Sequence, residues 1–257
     1  MKPWLRYTIG GTFLAALSAG TVLLAREVRD ERHIVACNEV SVRIMDSYRF
    51  VSEDDVKSYI VQDCGPCVGQ RLDSLRLSAI ENALDSRSAI LRSEAWTTAD
   101  GVLNVSITQR CPIVRFEGAG GGFFVDDTGF IFPLLEGFDL PIPVVEGALP
   151  LSATGGFKGE AATPGERLWI GRMLALVHYM QDHKWYDRID KVKVSEKGDL
   201  ELSFRDAPER VVFGVATDIA AKFARMDDYF NHIAPLNADT PYASVDVRFS
   251  GQIVCKK

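Results

Sequence analysis

Clusters of basic residues are missing from this sequence: its 29 lysines and arginines never gather into a block of five or six, and 35 acidic residues outnumber them for a formal net charge of −6. A chain so charged does not read as a nucleic-acid binder. The G-x-S-x-G turn of a serine hydrolase is missing too, and no cysteine stands in a recognisable protease context. The compositional bias of disorder or collagen is equally absent, since 47% of residues are apolar and 25% charged. What is there is the composition of a folded protein, with enough chain for one or two domains.

Long apolar runs are scarce, with one exception. Tyr7 to Ala25 carries no charge over 19 residues, and as a helix it would be about 28 Å long, close to the hydrocarbon thickness of a bilayer. The run predicts a single membrane-spanning helix at 7–25, after a short tail at 1–6 and before a linker at 26–33. A cleaved secretory signal is the alternative, but its apolar core would be shorter. Ile34-Val35-Ala36-Cys37 has the letters of a lipoprotein cleavage box, yet the charged stretch Arg26 to His33 separates it from the apolar run. The count of flanking lysines and arginines does not decide orientation.

Beyond the span, period-two alternation at Val40, Val42 and Ile44 predicts a strand. Ser52 with Asp55 predicts a capping box for a helix over 53–63, and Leu77, Ile80 and Leu84 predict a second helix, with Ser78 and Glu81 as its box. Two strands follow, 89–96 and 102–110, joined at Asp100-Gly101. The order predicts a small α+β unit with two helices on one face of a three-stranded sheet, closed by Pro112. The second half is richer in strands: a hairpin around Asp127-Thr128-Gly129, a helix from Thr163-Pro164 to about Asp182, strands about 192–194, 200–204 and 211–213, and a helix capped by Asp218 running to about Ile233. The final strand, Tyr242 to Cys255, places Val245, Val247 and Phe249 on a core face and Ser244, Asp246, Arg248, Ser250 and Gln252 on a wet one.

Three strings carry a resemblance: Gln109-Arg110-Cys111-Pro112-Ile113, Phe123-Phe124-Val125-Asp126, and Tyr242-Ala243-Ser244-Val245-Asp246-Val247-Arg248-Phe249. In that order, on a chain with one candidate span, the sequence resembles the bacterial cell-division family FtsQ/DivIB, and its terminal Gly251 to Lys257 resembles the Bacteroidetes branch. The resemblance implies a POTRA domain at 34–113 and an FtsQ-type β domain at 114–257. It implies a division scaffold without enzymatic activity or cofactor, anchored in the inner membrane at the septum with both domains periplasmic. The implied partners are FtsB-like and FtsL-like proteins, and through them the septal peptidoglycan synthase; no small-molecule substrate is implied. It also places a partner's tail on the C-terminal strand. An edge strand can accept an extended segment through its unpaired backbone groups, so Tyr242, Ser244, Asp246, Arg248, Ser250 and Gln252 are the expected partner-binding residues. Arg248 could pair a carboxylate bidentately.

Other candidates are weaker. Cys64-Gly65-Pro66-Cys67 has the letters of a thioredoxin site, but an amphipathic helix precedes it where a strand is needed, so a loop disulfide or two free thiols fit better. Cys37 or Cys111 would have to fold into range for a zinc site. Gly118 to Gly122 lacks the Lys-Ser/Thr of a phosphate loop and leads into a strand, which suits a hairpin or a close backbone approach. His178, Asp182 and His183 could form a metal pair or a wetted helix end. Asp126-Asp127 and Asp227-Asp228 read as solvated surface. Two rival functions remain open: a membrane-anchored envelope enzyme or thiol oxidoreductase built on His178 or Cys64/Cys67, and a POTRA chaperone for outer-membrane strands.

Overall fold

The computed structural model describes residues 35–135, 138 and 140–257. The expected tail, span and linker lie outside the described residues. Among those described, no helix is long and apolar enough to cross a membrane.

The first unit follows the alternation and capping signals closely. Ser52 and Asp55 form a reciprocal capping box on α1 (Glu53–Cys64), which buries Val56 and Ile60. Helix α2 (Leu77–Asp85) buries Ile80 and Leu84. Its expected capping box does not form: Arg76 is the N-cap, Ser78 lies inside the helix, and Glu81 instead accepts the Ala95 amide at 2.9 Å. After a 3-10 turn at Leu72–Ser74 the helix starts two residues before the expected position, so Ser78 is already past the cap. Strands β1 (Glu39–Ile44), β2 (Ile90–Thr97) and β3 (Val102–Gln109) make a sheet of order β1-β3-β2, with β1 parallel to β3. Leu103, Val105 and Ile107 on the inner face of β3 pack with the buried side chains of both helices.

Pro112, expected to close this unit, instead opens the next. Strand β4 (Pro112–Gly118) pairs with β5 (Gly121–Asp126), which pairs with β6 (Ile131–Pro133). The glycine run is a tight hairpin between Gly118 and Gly121, the latter at φ +100°. A Cβ on Gly122 would stand 2.6 Å from Leu134 Cδ1, so the run is also a close-approach position. Strands β7 (Val144–Gly147), β8 (Ile189–Val194), β9 (Leu200–Phe204), β10 (Arg210–Gly214), β11 (Ser244–Asp246) and β12 (Val254–Lys256) complete a second sheet. Among the described residues its order is β12-β11-β10-β9-β8-β7-β4-β5-β6.

Helix α3 (Pro164–Gln181) starts at the expected Thr163–Glu166 box with Pro164 in its first turn. The Ser152 and Thr163 amides also bond Glu166, at 2.6 and 2.9 Å. Hydrogen bonding to Ser152 and Thr163 holds the Glu166 carboxyl down at about 2. Its contribution to stability is therefore present above the ordinary carboxylate range and is lost as pH falls through about 2. A short helix α4 (Trp185–Arg188) leads into β8. The last helical run keeps the expected bounds, from Asp218 at the N-cap position to Ile233, but differs in its cap and in its last turns. Asp218 adopts a left-handed backbone (φ +50°), which takes its side chain out of line with the helix amides, and it makes no capping bond. Helix α5 (Ile219–Asp228) then loosens into a π turn (Tyr229–Ile233) and a 3-10 turn (Ala234–Asn237), where Pro235 cannot donate the amide an α-helix requires. Its apolar side, Phe223 and Met226, joins the second core with Trp185, Phe213 and Val245.

The C-terminal strand is the main correction. Residues 242–255 do not form one strand: β11 and β12 pair antiparallel, Ser244 opposite Lys256 and Asp246 opposite Val254. After the Val247 amide bonds Val212 O at 3.1 Å, the Arg248 amide turns back to Asp246 Oδ1 at 3.0 Å, and Gly251 at φ +76° completes the reversal. Phe249, expected in the core, is exposed at this bend.

Candidate functional site

The C-terminal hairpin is built on a charged anchor. Arg248 Nη1 lies 2.7 Å from Asp199 Oδ2, and its Nη2 lies 2.7 Å from Asp246 Oδ2, while Nε also donates to Asp246. The Arg248 stem crosses Gly214, where a Cβ would stand 2.7 Å from its Cγ; Gly214 also holds φ +74°. From the helix side, Arg225 Nε donates to Val247 O at 2.9 Å. Burial opposes ionisation of Asp246, but the hydrogen bonds from Arg248 outweigh it and hold the carboxyl below its usual range. A depressed carboxylate contributes stability above its unfolded pKa and loses it as pH falls through the folded one. The stability difference between wild type and Arg248→Ala should therefore be present at pH 7 and shrink below about pH 4. Urea titrations at the two pH values measure it, and a difference that does not change with pH would show that the ion pair contributes nothing.

The structure divides the six expected partner-binding residues. Ser244 and Asp246 lie on β11, which is paired on both sides, to β10 and to β12. Tyr242 precedes β11 and is half-buried against the core. Arg248 is engaged by Asp199 and Asp246, and Ser250 and Gln252 are exposed in the bend. Arg248→Glu would thus place a third carboxylate beside two others and perturb the hairpin itself. Among the described residues the sheet has two edge strands, β6 and β12; on β12 Val254 and Lys256 are exposed and Cys255 between them is half-buried.

The other candidates do not converge. His178 Nε2 meets Asp127 at 2.9 Å, Asp182 caps α3 through its amide to His178 O, and His183 Nδ1 faces Tyr179 O at 2.7 Å. Among the described residues no group of three or more His, Cys, Asp or Glu side chains could hold a metal ion. Cys64 is the last residue of α1, with Gly65 (φ +84°) after it. Cys111 Sγ is 2.8 Å from Tyr48 Oη, and this hydrogen bond, with burial, pushes the phenol up to about 12. Beside β1 and α1 lies a cavity of about 480 Å³ that touches Val40, Lys57, Ile60 and Cys67.

One reading of solvated surface is overturned. Asp126 is buried: it takes Arg110 Nη1 at 2.5 Å, and its other oxygen accepts the Thr128 and Phe130 amides. Arg110 stacks 3.8 Å over the Phe130 ring, and its own amide bonds Ala89 O of the first unit at 2.8 Å. Asp127 and Asp228 are exposed, and Asp227 pairs with Lys184 at 2.5 Å. No local signal marks this pair: Asp126 is followed by Asp127 and Arg110 by a cysteine and a proline, and the two partners lie 16 residues apart. Gln109 beside them is likewise buried, accepting the Val51 amide and donating to Asp46 and Tyr48 O.

Comparison with known families falls on this architecture. A family model described as "FtsQ/DivIB, C-terminal related" matches residues 111–256, and one described as a POTRA-like domain matches residues 35–108. No curated protein matches the chain.

Proposed function

The chain belongs to the FtsQ/DivIB family, and from that membership we propose that it is a non-enzymatic division scaffold that docks a partner by β-augmentation at its C-terminal edge. The observation that carries the reading is β12: a short strand at the border of the larger sheet, exposed at Val254 and Lys256. An unpaired edge offers a row of backbone donors and acceptors that an incoming extended segment can satisfy. In this reading residues 7–25 anchor the chain in the inner membrane, and both folded units face the periplasm at the septum. The partners are FtsB-like and FtsL-like division proteins. Tyr242, Arg248, Ser250 and Gln252 flank the edge and supply side-chain contacts, while Ser244 and Asp246 hold β11 behind it.

A photocrosslinking residue placed at Val254 or Lys256 of the full chain should trap the FtsB-like protein in dividing cells. A chain ending at Ile253 should lose capture by tenfold or more, a difference of about 1.4 kcal/mol. Proline at Asp246 is not an informative test, because that residue is paired to Val212 and Val254 and the change would break the sheet itself. Crosslinks absent from both β12 positions, with full capture by the shortened chain, would place the interface elsewhere.

A further inference from the structure

Three of the five cysteines gather in the first unit. Residues 35–37 run antiparallel beside 70–72: the Leu72 amide bonds Val35 O at 3.0 Å, and the Cys37 amide bonds Gln70 O at 2.7 Å. The Gly69 amide returns to Cys37 O at 2.8 Å, and the Gln70 amide to Cys67 O at 3.1 Å, so a tight turn brings the loop carrying Cys67 beside the Cys37 segment; both are free thiols in this structure, Cys37 Sγ facing Glu39 O at 3.4 Å and Cys67 Sγ facing Gly65 O at 3.8 Å. Both side chains are enclosed in the same core cluster, with 1% and 4% of their surface exposed. Cys64 sits outside that enclosure, half-buried at the last turn of α1.

We propose that Cys37 and Cys67 are joined by a disulfide that staples the segment entering β1 to the loop after α1, leaving the adjacent Cys64 as a free thiol. The sequence motif points to the other pairing, Cys64 with Cys67. The fold argues against it, because Cys67 shares its buried cluster with Cys37, while Cys64 is only partly buried at the helix end. Burial pushes the Cys67 thiol up, and the neighbouring sulfurs of Cys37 and Cys64 add to the effect, Cys37 before Cys64. A thiol so held is mostly protonated at neutral pH and oxidises slowly.

The step needs a disulfide-bearing oxidant, such as oxidised glutathione or a protein disulfide. The Cys67 thiolate, reached through the 480 Å³ cavity it borders, attacks one oxidant sulfur, breaks that S–S bond and forms a mixed disulfide. The Cys37 thiolate then displaces the second oxidant sulfur. Two protein thiols lose two electrons and two protons, and the oxidant leaves as two thiols. Persistence of the bond in cells rests on the periplasmic location proposed above, since a reducing compartment would keep the thiols free; the pairing itself does not.

The test uses the full reduced chain equilibrated with oxidised glutathione, alkylated, proteolysed and mapped by mass spectrometry. Two of five thiols should disappear, and one fragment should join Cys37 to Cys67. Cys64→Ala should still lose two thiols, and the oxidised chain should melt at a higher temperature than the reduced one. A fragment joining Cys64 to Cys67, or a wild-type chain that keeps all five thiols, overturns the proposal; both are read on the wild-type protein and do not depend on a variant folding. Acid-quenched cells supply a separate arm. A bond formed by the purified chain but absent from those cells upholds the pairing and counts against the location.

Discussion

Asp126→Ala should destabilise the chain by about 3 to 5 kcal/mol, the usual cost of stranding one partner of a buried ion pair. Its carboxylate is the anion facing Arg110, at 2.5 Å, and both side chains are less than a tenth exposed. Among the described residues Arg110 Nε is buried without a hydrogen-bond partner, and Asp126 is the carboxylate paired with this guanidinium. The loss extends to the turn that follows, because Asp126 Oδ1 also accepts the Thr128 amide and hydroxyl and the Phe130 amide. Asp127→Ala, one residue on and exposed, should cost less than about 0.5 kcal/mol. Urea unfolding of the two full-length variants makes the comparison internal. Similar losses for both would mean that the Arg110–Asp126 pair does not join the units energetically. Fragmented unfolding of Asp126→Ala, with the first unit melting apart from the second, would show that the pair also makes the two units cooperative.

Phe223→Ala should cost a similar amount, about 3 to 5 kcal/mol, by a different route. The ring has no exposed surface and lies between Tyr179 of α3, Trp185 of α4 and Phe213 of β10, at centroid distances of 4.9, 5.5 and 5.2 Å. Truncation removes buried apolar area and leaves a cavity whose walls are aromatic rings held by three different elements, which cannot all move in. Phe223→Leu, which refills most of that space, should recover more than half of the loss. Equal effects of alanine and leucine would indicate that the site needs ring stacking and not volume. The expected loss concerns stability alone, and capture measured on the surviving folded fraction should match wild type.

The strongest local signals in the letters were capping boxes and strand alternation; two of the three expected boxes formed, and Ser78–Glu81 did not. Ser52-Asp55 and Thr163-Glu166 each pin a helix start with two reciprocal bonds, a purely local arrangement that four residues can specify. The alternation of Leu103, Val105 and Ile107 survives because a half-buried strand has no other way to seat them. Two of the failures share a cause. Alternation in 242–255 could not reveal a reversal, since Val245 and Val247 keep the same parity whether the chain continues or folds back at Gly251. What decides between the two is the Arg248 clamp to Asp199, a residue 49 positions away, and no window of local sequence contains it. Asp126 was misjudged for the same reason, its partner lying 16 residues upstream across a strand and a turn. The family resemblance implied a partner on the C-terminal strand, and the folded chain shows that the sheet edge there is three residues long, Val254–Lys256.

Strand β7 gives the second unit a mechanical weak point. It is four residues long, and within the larger sheet it alone stands between β6-β5-β4 and β8 through β12. Both of its pairings are parallel, to β4 over Val144, Val145 and Glu146 and to β8 over Val144 to Gly147, and parallel ladders are slightly weaker per residue than antiparallel ones. A Cβ on Gly147 would lie 2.4 Å from Val194 O, so the last of these positions admits no side chain. A pull exerted by a partner at β12 against resistance from the Arg110 junction must cross this ladder or be diverted through α3. The β10–β11 ladder on the same path is also parallel and three pairs long, so tension perpendicular to the strands loads short parallel ladders at β7 and at β10–β11 in series, and both sites act as mechanical fuses set against the strength of docking.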